Sequence, residues 1–402
     1  MAAEPRKPPL QFFLKLRRAL GGKAGWGGLA LQVLFLAILA WIGYEIVANA
    51  RGNLEAQHVA SGFGFMSQTA GFGVNQTLIP YSESDSYTRV FLVGLLNTLL
   101  VAVVGIVIAT IIGFAVALGR LSPNWLISRI SGGYVELVRN QPLLFQILFW
   151  YLAVLGTLPS PRQSLSIFDT FFLSNRGFVI PKPIGQHEGL LAFVVAVVAA
   201  TIGCLLLRHY SRRALFQYGR VVVVWPYISG LLIGVPLVVV LLFGAPFTFE
   251  TPVLKGFNFS GGARLTPEFV ALAVALSTYT AAFIAEVVRA GILSVHKGQM
   301  EAGASLGLSR GSTLRLIVVP QAMRVILPPL TNQYLNLTKN SSLAVGIGYP
   351  DLFSVFAGTT LSQTGQAIEI IAITMGVYLL ISLATSALMS VYGWRVARSM
   401  GG

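Results

Sequence analysis

Long apolar stretches separated by short polar segments make up most of this chain. Eight of them approach or exceed the roughly 18 to 20 residues that a helix needs to cross hydrocarbon. The third is short, and the seventh is interrupted by polar residues. The pattern predicts an all-α polytopic membrane protein with about eight transmembrane helices, and the expected spans are Leu29–Val47, Val90–Leu118, Leu143–Leu158, Leu190–Leu207, Val221–Phe243, Phe269–Val288, Val325–Ile347 and Ala367–Val391.

The distribution of charge orients these spans. An even number of spans puts both termini on one side, and 20 of the 28 Lys and Arg residues fall on that side. Most Asp and Glu residues fall on the other side. This is the positive-inside pattern, so both termini are expected in the cytoplasm. The formal net charge of +14 therefore reflects topology, and we expect no nucleic-acid partner.

Composition and motifs exclude several other classes. Mean hydropathy of +0.74 with only 10% charged residues excludes a soluble domain. The chain contains no Gly-x4-Gly-Lys-Ser/Thr phosphate-binding loop, so it is not expected to hydrolyse ATP or to act as an enzyme. Its four histidines show no metal-ligand spacing, and Cys204 is its single cysteine. The basic start is longer than a signal peptide's n-region, which favours a retained cytoplasmic tail.

One polar segment between the sixth and seventh spans has a definite local design. Its sequence from Glu301 to Pro320 is EAGASLGLSRGSTLRLIVVP. Glu301 and Ala302 are expected to open a helix, and Gly307 stands where a sharp turn needs a residue without a Cβ atom. A second amphipathic run follows and is expected to end at Pro320. The segment is thus predicted to be a helix-turn-helix.

The spacing in this segment resembles the cytoplasmic loop of ABC importer permeases. That loop reads Glu-Ala-Ala, three residues, Gly, nine residues, Ile, one residue, Leu-Pro. Gly303 in place of Ala and Val319 in place of Leu are the two departures. The resemblance implies that residues 298–320, the docking segment, bind a separate ATPase subunit, which carries the ATP and Mg. The residues expected to serve this coupling are Glu301, Ala302, Gly303, Gly307, Arg310, Arg315, Ile317 and Pro320.

Further passages resemble the polar amino-acid branch of these permeases. They are GLLNTLLVAVVG (94–105), YVELVRNQPLLFQ (134–146), YTAAFIAEVVRAGILSVHKGQMEAG (279–303) and LTNQYLNLTKNSSLAVGIGYPDLFS (330–354). The resemblance runs from about Val90 to Arg395, with an insert at 159–266. It is nearest to the long-form permeases of general L-amino acid importers of bacteria. It implies a five-helix type I core with peripheral additions, located in the bacterial inner membrane.

These features divide the chain into six parts. A cytoplasmic tail (1–28) precedes a first helix with an outer segment (29–89). The first part of the core (90–158) is followed by outer loops and two extra helices (159–266). The second part of the core (267–395) contains the docking segment, and residues 396–402 form a second cytoplasmic tail.

Polar residues within the apolar spans are candidates for a translocation path, because polar groups in hydrocarbon need a partner or a water-lined cavity. An alternative is that Asn97 and Thr98 only hydrogen-bond neighbouring helices. Lys339 either balances a substrate carboxylate or reaches the outer headgroups. The candidate path residues are Asn97, Thr98, Thr331, Gln333, Tyr334, Thr338 and Lys339.

Four residues near the cytoplasmic ends of the spans are candidates for an inner gate: Arg139, Asn140, Glu286 and Arg289. Glu286 and Arg289 share a helical face and can pair with each other, or with Glu136 and Arg139 across the bundle. The alternative is a structural role, in which the pair only neutralises charge. Pro142 breaks the helix that enters the third span, and the free backbone groups beside it either hold a carboxylate or an amine, as in transporters with broken helices, or only mark the end of a helix.

Taken together, the sequence predicts a permease subunit of an ATP-driven importer that moves L-amino acids from the periplasm to the cytoplasm. The long-form resemblance implies that its substrate range is broad. The expected partners are an ABC ATPase in two copies, a second related permease, a periplasmic amino-acid-binding protein and membrane lipid. The rival class is an ion-coupled secondary transporter, which often carries intramembrane acids and inverted repeats. No acidic residue lies at mid-depth in any predicted span, and the two halves of the sequence show no repeat. A membrane scaffold or a channel explains the docking segment less well.

Overall fold

The computed structural model describes residues 26–56, 62–185, 187–219, 223–244 and 246–398. Most of the predicted N-terminal tail and residues 399–402 lie outside these ranges. The α-helices are α1 (Trp26–Ala56), α2 (Tyr87–Arg120), α3 (Trp125–Arg139), α4 (Leu143–Leu148), α5 (His187–Tyr218), α6 (Trp225–Phe243), α7 (Pro267–Leu293), α8 (Lys297–Ser305), α9 (Arg310–Thr313), α10 (Val319–Asn340), α11 (Leu361–Thr364) and α12 (Ala367–Arg398). Short 3₁₀ helices span Phe63–Ser67, Pro161–Gln163 and Ser341–Ile347, and π-helices span Phe149–Leu155, Leu314–Val318 and Phe353–Thr360.

The predicted helical membrane fold is confirmed. Six described helical segments are long and apolar enough to cross a membrane, and two shorter apolar helices, Ala30–Glu45 and Leu143–Leu155, account for the first and third predicted spans. The six are Tyr87–Arg120, Gly189–Leu215, Trp225–Phe243, Pro267–Leu293, Arg310–Ile347 and Ala367–Arg398.

Helix α7 is the centre of the packed core. In its most apolar stretch 61% of the residues are buried, the largest share among the six spanning segments. Helix α2 approaches it closely, because small residues recur on α2 at every fourth position, at Gly105, Ala109, Gly113 and Ala117. A Cβ atom on Gly113 would lie 2.6 Å from Cγ2 of Ile284. The two backbones therefore pack at a distance that only glycine permits at this point.

The third crossing is a broken helix, which corrects the sequence prediction. The predicted spans leave residues 119–142 as a cytoplasmic loop, yet α3 packs against the middle and C-terminal half of α7, and α4 with the π-helix that follows it packs against the N-terminal half. The Tyr134 hydroxyl donates to the carbonyl of Thr278 at 2.6 Å, and the Tyr151 hydroxyl donates to Glu268 at 3.0 Å. The prediction missed α3 because its apolar residues follow a helical period among polar ones and form no continuous apolar run.

Short β-strands form in the inserted region, where the sequence predicted only loops and two helices. An antiparallel sheet has the order β1 (Leu165–Ile167), β2 (Phe171–Ser174), β3 (Gly177–Ile180) and β8 (Ala263–Leu265). Strand β4 (Lys182–Gly185) pairs with β5 (Phe247–Glu250) on the far side of helices α5 and α6, and β6 (Val253–Lys255) forms a hairpin with β7 (Asn258–Ser260). Strand β3 pairs with β8 across the intervening helices α5 and α6, with Phe178 opposite Leu265.

The inserted helices α5 and α6 pack mainly against each other. The Cys204 thiol is buried between them, 3.8 Å from the carbonyl oxygen of Ile228. Their outward faces carry exposed Leu, Val and Ile side chains, as expected for helices surrounded by lipid.

Candidate functional site

The docking segment contains a helix, a tight turn and a second helix. Gly307 has φ of +74°, the left-handed conformation that glycine adopts without a steric penalty. The amide of Leu308 donates to the carbonyl of Gly303 at 3.0 Å, and the amide of Gly307 donates to that of Ala304 at 2.9 Å. These two bonds form a Schellman motif, which ends α8 and fixes the direction of the chain into the next helix.

The two helices of this segment are held against each other by a contact that requires glycine. A Cβ atom on Gly303 would lie 2.5 Å from Cγ2 and 2.8 Å from Oγ1 of Thr313. The Ser309 hydroxyl caps α9 by accepting from the amide of Ser312 at 3.2 Å. The departure from Ala at position 303 is thus matched by the larger Thr313 opposite it.

Two details of the predicted helix-turn-helix are corrected. Helix α8 begins at Lys297 instead of Glu301, because Nδ1 of His296 accepts from the amide of Gly298 at 3.1 Å and caps the helix there. The second helix does not end at Pro320. A π-helical turn over Leu314–Val318 leads directly into α10, and its wider winding accommodates a residue that lacks an amide hydrogen.

The charged side chains of the docking segment point into solvent. Glu301, Arg310 and Arg315 are exposed, as is Ala302, whereas Ile317 and Pro320 are half-buried. The two ion pairs formed within the described ranges involve none of these charges. This surface is therefore free to meet another molecule.

Glu286 is the centre of a charge cluster between α2 and α7. Its carboxylate pairs with Arg289 at 2.7 Å on the same helix, one of the two alternatives that the sequence left open. Its partner across the bundle is Arg120, not Glu136 or Arg139. Arg120 was not among the predicted gate residues, although its position as the last residue of a long apolar helix marks it as a candidate for such a pair.

Arg139 and Asn140 lie apart from that cluster but share a cavity with it. The Arg139 guanidinium stacks on the ring of Phe283 at 5.0 Å. A cavity of about 350 Å³, here called the inner cavity, is lined by Arg120, Val135, Glu136, Arg139, Asn140, Phe283 and Glu286. A neighbouring cavity of about 340 Å³ is lined by Arg120, Ser128, Arg129, Gly132, Gly133, Glu136 and Arg289. Three of the four predicted gate residues thus line the inner cavity, and Arg289 lines its neighbour.

Asn97 and Thr98 are completely buried and hold the outer part of the chain together. The Asn97 amide donates to the carbonyls of Gln76 and Pro350, each at 2.9 Å. The Thr98 hydroxyl accepts from the amide of Leu352 at 3.0 Å. This geometry favours the packing alternative for both residues, since neither lines a cavity described above.

Most of the polar residues predicted for the path on α10 bond within the helix bundle, and one lines a cavity. The hydroxyls of Thr331 and Thr338 bond to carbonyls within the helix at 2.8 and 2.9 Å, and the Tyr334 hydroxyl lies 2.8 Å from that of Thr110 on α2. Gln333 is half-buried. Only Lys339 of the five predicted path residues on α10 lines a large cavity, of about 450 Å³, whose wall is otherwise mostly apolar and includes α12.

Asp351, which lies between the last two spans, is a buried acid that was not among the predicted site residues. It is fully shielded from solvent, and it caps the next helix by accepting from the amide of Ser354 at 2.8 Å. The Tyr378 hydroxyl donates to its second oxygen at 3.2 Å. Burial raises the pKa of Asp351 to about 6, against the lowering effect of these bonds. The signal was its position three residues before Ser354 at a helix start.

No group of three His, Cys, Asp or Glu side chains within the described ranges could hold a metal ion.

A membrane bundle with an exposed helix-turn-helix and polar internal cavities is the architecture of a transport protein's membrane subunit. The chain belongs to the family described as "Binding-protein-dependent transport system inner membrane component", whose model matches residues 192–398. It is a multi-pass inner-membrane permease component and not an enzyme.

Three relatives match it over nearly their whole length. YhdX of Escherichia coli (strain K12), which is named as an amino-acid ABC transporter permease protein, is 52% identical over 91% of this chain and 92% of its own. The general L-amino acid transport system permease protein AapQ of Rhizobium johnstonii is 48% identical over 91% of each chain. BztB of Rhodobacter capsulatus, a glutamate/glutamine/aspartate/asparagine transport system permease protein, is 40% identical over 90% and 91%. The predicted resemblance is confirmed, and the long form is common to these proteins.

Proposed function

We propose that this chain is one of two related permease subunits of an ATP-driven importer that moves L-amino acids of broad range from the periplasm to the cytoplasm. The observation that carries the proposal is the docking segment, a pre-formed and exposed helix-turn-helix with three uncommitted charges. The names of the three relatives support an amino acid as the substrate.

The docking segment fits a groove on a separate ATPase subunit. Arg310 and Arg315 supply positive charge for acidic groups there, and Glu301 lies within the exposed part of α8. Two ATPase copies bind ATP and Mg, and this chain binds neither. A periplasmic amino-acid-binding protein delivers the substrate to the outer face, and both termini of the chain lie in the cytoplasm.

The connection between the docking segment and the core supports a mechanical coupling. From Arg310 to Ile347 the chain is one helical run, so a displacement of the segment passes directly into α10. Closure of the ATPase dimer would then switch the permease pair between inward-facing and outward-facing states, a rigid-body transition of packed helices.

Co-purification tests this function. The full-length chain is isolated from native membranes in mild detergent, and a stoichiometric ATPase with a phosphate-binding loop is expected to accompany it. The double variant R310E/R315E should lose this partner, because it reverses charge on the exposed surface without removing an internal contact. Lys255→Glu, on the outer strand β6, is the matched control and should retain it.

Transport in proteoliposomes completes the test. The whole complex with its binding protein should import a labelled amino acid only when ATP is supplied. Uptake by this chain alone, driven by a Na⁺ or H⁺ gradient, would contradict the proposal and favour the secondary transporter.

A further inference from the structure

The inner cavity reaches the middle of the membrane. Helix α7 runs from residue 267 to 293, and Thr278 and Phe283 flank its midpoint. Helix α3 contacts both of them, through Tyr134 and Arg139 respectively. At about 1.5 Å per residue the midpoint lies about 20 Å from either end of α7. The end of α3, where Arg139 and Asn140 stand, is therefore at mid-depth.

Four charged residues line this cavity, and two of them are already neutralised by each other. Glu286 pairs with Arg120 across the bundle and also with Arg289 outside the cavity. Glu136 and Arg139 take part in neither of the ion pairs formed within the described ranges. What remains is one negative and one positive side chain.

Glu136 and Arg139 are three residues apart on α3 and so lie on the same face of that helix. Both are exposed to the cavity, and the Arg139 guanidinium is supported from behind by the Phe283 ring. Charged side chains at this depth are costly, and they occur where they face a water-filled path or a charged ligand. A segment that only ended a helix would not need two unpaired charges at this depth.

The pair matches the two charges that every α-amino acid carries. A guanidinium binds a carboxylate through bidentate hydrogen bonds, and a carboxylate accepts hydrogen bonds from an ammonium group. The Asn140 side-chain amide adds a further donor beside Arg139. A volume of about 350 Å³ lies in the range of small-molecule sites and leaves room for side chains of different sizes.

We propose that the inner cavity is a zwitterion site, in which Arg139 with Asn140 holds the α-carboxylate and Glu136 holds the α-ammonium group of an amino acid in transit. This rests on the proposed function. It also explains a broad substrate range, since the site binds the groups that all amino acids share and does not recognise the side chain. Arg139 and Asn140 then act as a binding site, and the gate is left to the Glu286 cluster.

The test uses the complete transporter, with partner permease, ATPase and binding protein, in proteoliposomes. Labelled glycine, L-glutamine, L-glutamate and L-leucine are the probes, and the readout is the number of molecules imported per ATP hydrolysed. Glu136→Gln and Arg139→Gln should each lower this ratio by about tenfold or more, the factor expected when one charge-assisted hydrogen bond is lost. The loss should be similar for every probe that the wild type imports.

Two further variants separate binding from structure. Arg129→Gln changes the same charge on the same helix but lines only the neighbouring cavity, and it should import normally. The double variant E136R/R139E keeps one charge of each sign and should recover part of the lost import. If the transporter with Arg139→Gln does not assemble, Arg139→Lys takes its place, since lysine keeps the charge but cannot form bidentate hydrogen bonds.

The proposal fails if the single variants import normally, if the loss is confined to one type of side chain, or if Arg129→Gln lowers import as much as they do. It also fails if the double variant recovers nothing. A wild-type complex that imports no probe with ATP would instead refute the proposed function, so the two failures are distinguishable.

Discussion

The contact between Gly303 and Thr313 allows the design of the docking segment to be tested in a quantitative way. In Gly303→Ala, the new methyl group would lie 2.5 Å from Cγ2 of Thr313, well inside van der Waals contact. The Thr313 side chain has little freedom to move, because it is β-branched and its hydroxyl is bonded to the carbonyl of Ser309 at 3.1 Å. The substitution should therefore force α8 and α9 apart.

Two opposing effects set the size of the change. Overpacking costs about 1–3 kcal/mol, and a contact of 2.5 Å with a constrained side chain belongs in the upper part of that range, at about 2–3 kcal/mol. Replacing Gly by Ala inside a helix gains about 1 kcal/mol, which offsets part of that cost. The net loss of about 1–2 kcal/mol in the local stability of the segment should raise its opening equilibrium by about 5–30-fold.

Hydrogen–deuterium exchange of residues 297–313 in the detergent-solubilised protein measures that opening. Gly303→Ala should speed exchange there by the stated factor. In a protein that already carries Thr313→Ala, the further change Gly303→Ala should have little effect on the exchange rate. Gly311→Ala is the matched control, because no atom lies within 4 Å of its new methyl group. If Gly303→Ala exchanged no faster than wild type, or if the two changes were simply additive, the proposed contact would not hold the segment together.

Three other predictions concern the core. Gly113→Ala should destabilise the protein by about 1–2 kcal/mol, because the clash of its methyl group with Ile284 exceeds the gain of about 1 kcal/mol from replacing a helical glycine. Gly132→Ala, whose methyl group meets no atom within 4 Å, should be neutral or stabilising in the same detergent unfolding assay. Glu286→Gln should cost about 1–3 kcal/mol, since it leaves two partly exposed guanidinium groups without their carboxylate, and Glu286→Asp should cost less. Because burial raises the pKa of Asp351 from 3.8 to about 6, the folded state keeps this proton at pH values where the unfolded chain has lost it. Its contribution to stability is therefore present below about pH 4 and is lost as pH rises through about 6, and Asp351→Asn should remove that part of the pH dependence of unfolding.

The docking segment was predictable because local chemistry determines it. Gly307 at a left-handed position, serine at a helix start and small residues near the turn are signals within 20 residues of sequence. The two errors in this region were also local. The cap at His296 is an uncommon residue for that role, and the π-helical turn before Pro320 has no recognised sequence signature.

The parts that were missed depend on distant contacts. Strands of three or four residues are too short to show a clear alternation, and the pairing of β3 with β8 joins segments on either side of two long helices. Helix α3 is too polar to read as a membrane segment, since its Glu136 and Arg139 are accommodated by a cavity that forms only when α2 and α7 pack beside it. Likewise, nothing local indicated that Asn97 would be buried against Gln76 and Pro350.

The docking segment lies in the chain between two core helices, α7 and α10. Only residues 294–296 separate α7 from α8, and on the other side the segment runs directly into α10. Near the segment these helices are locked together, because Gly291 on α7 packs directly against Ile326 on α10. A force applied to the segment should therefore move α7 and α10 as one unit. Since α7 carries one wall of the inner cavity and α3 carries the other, such a movement would change the distance between those walls, which is what a path that binds and then releases its substrate requires.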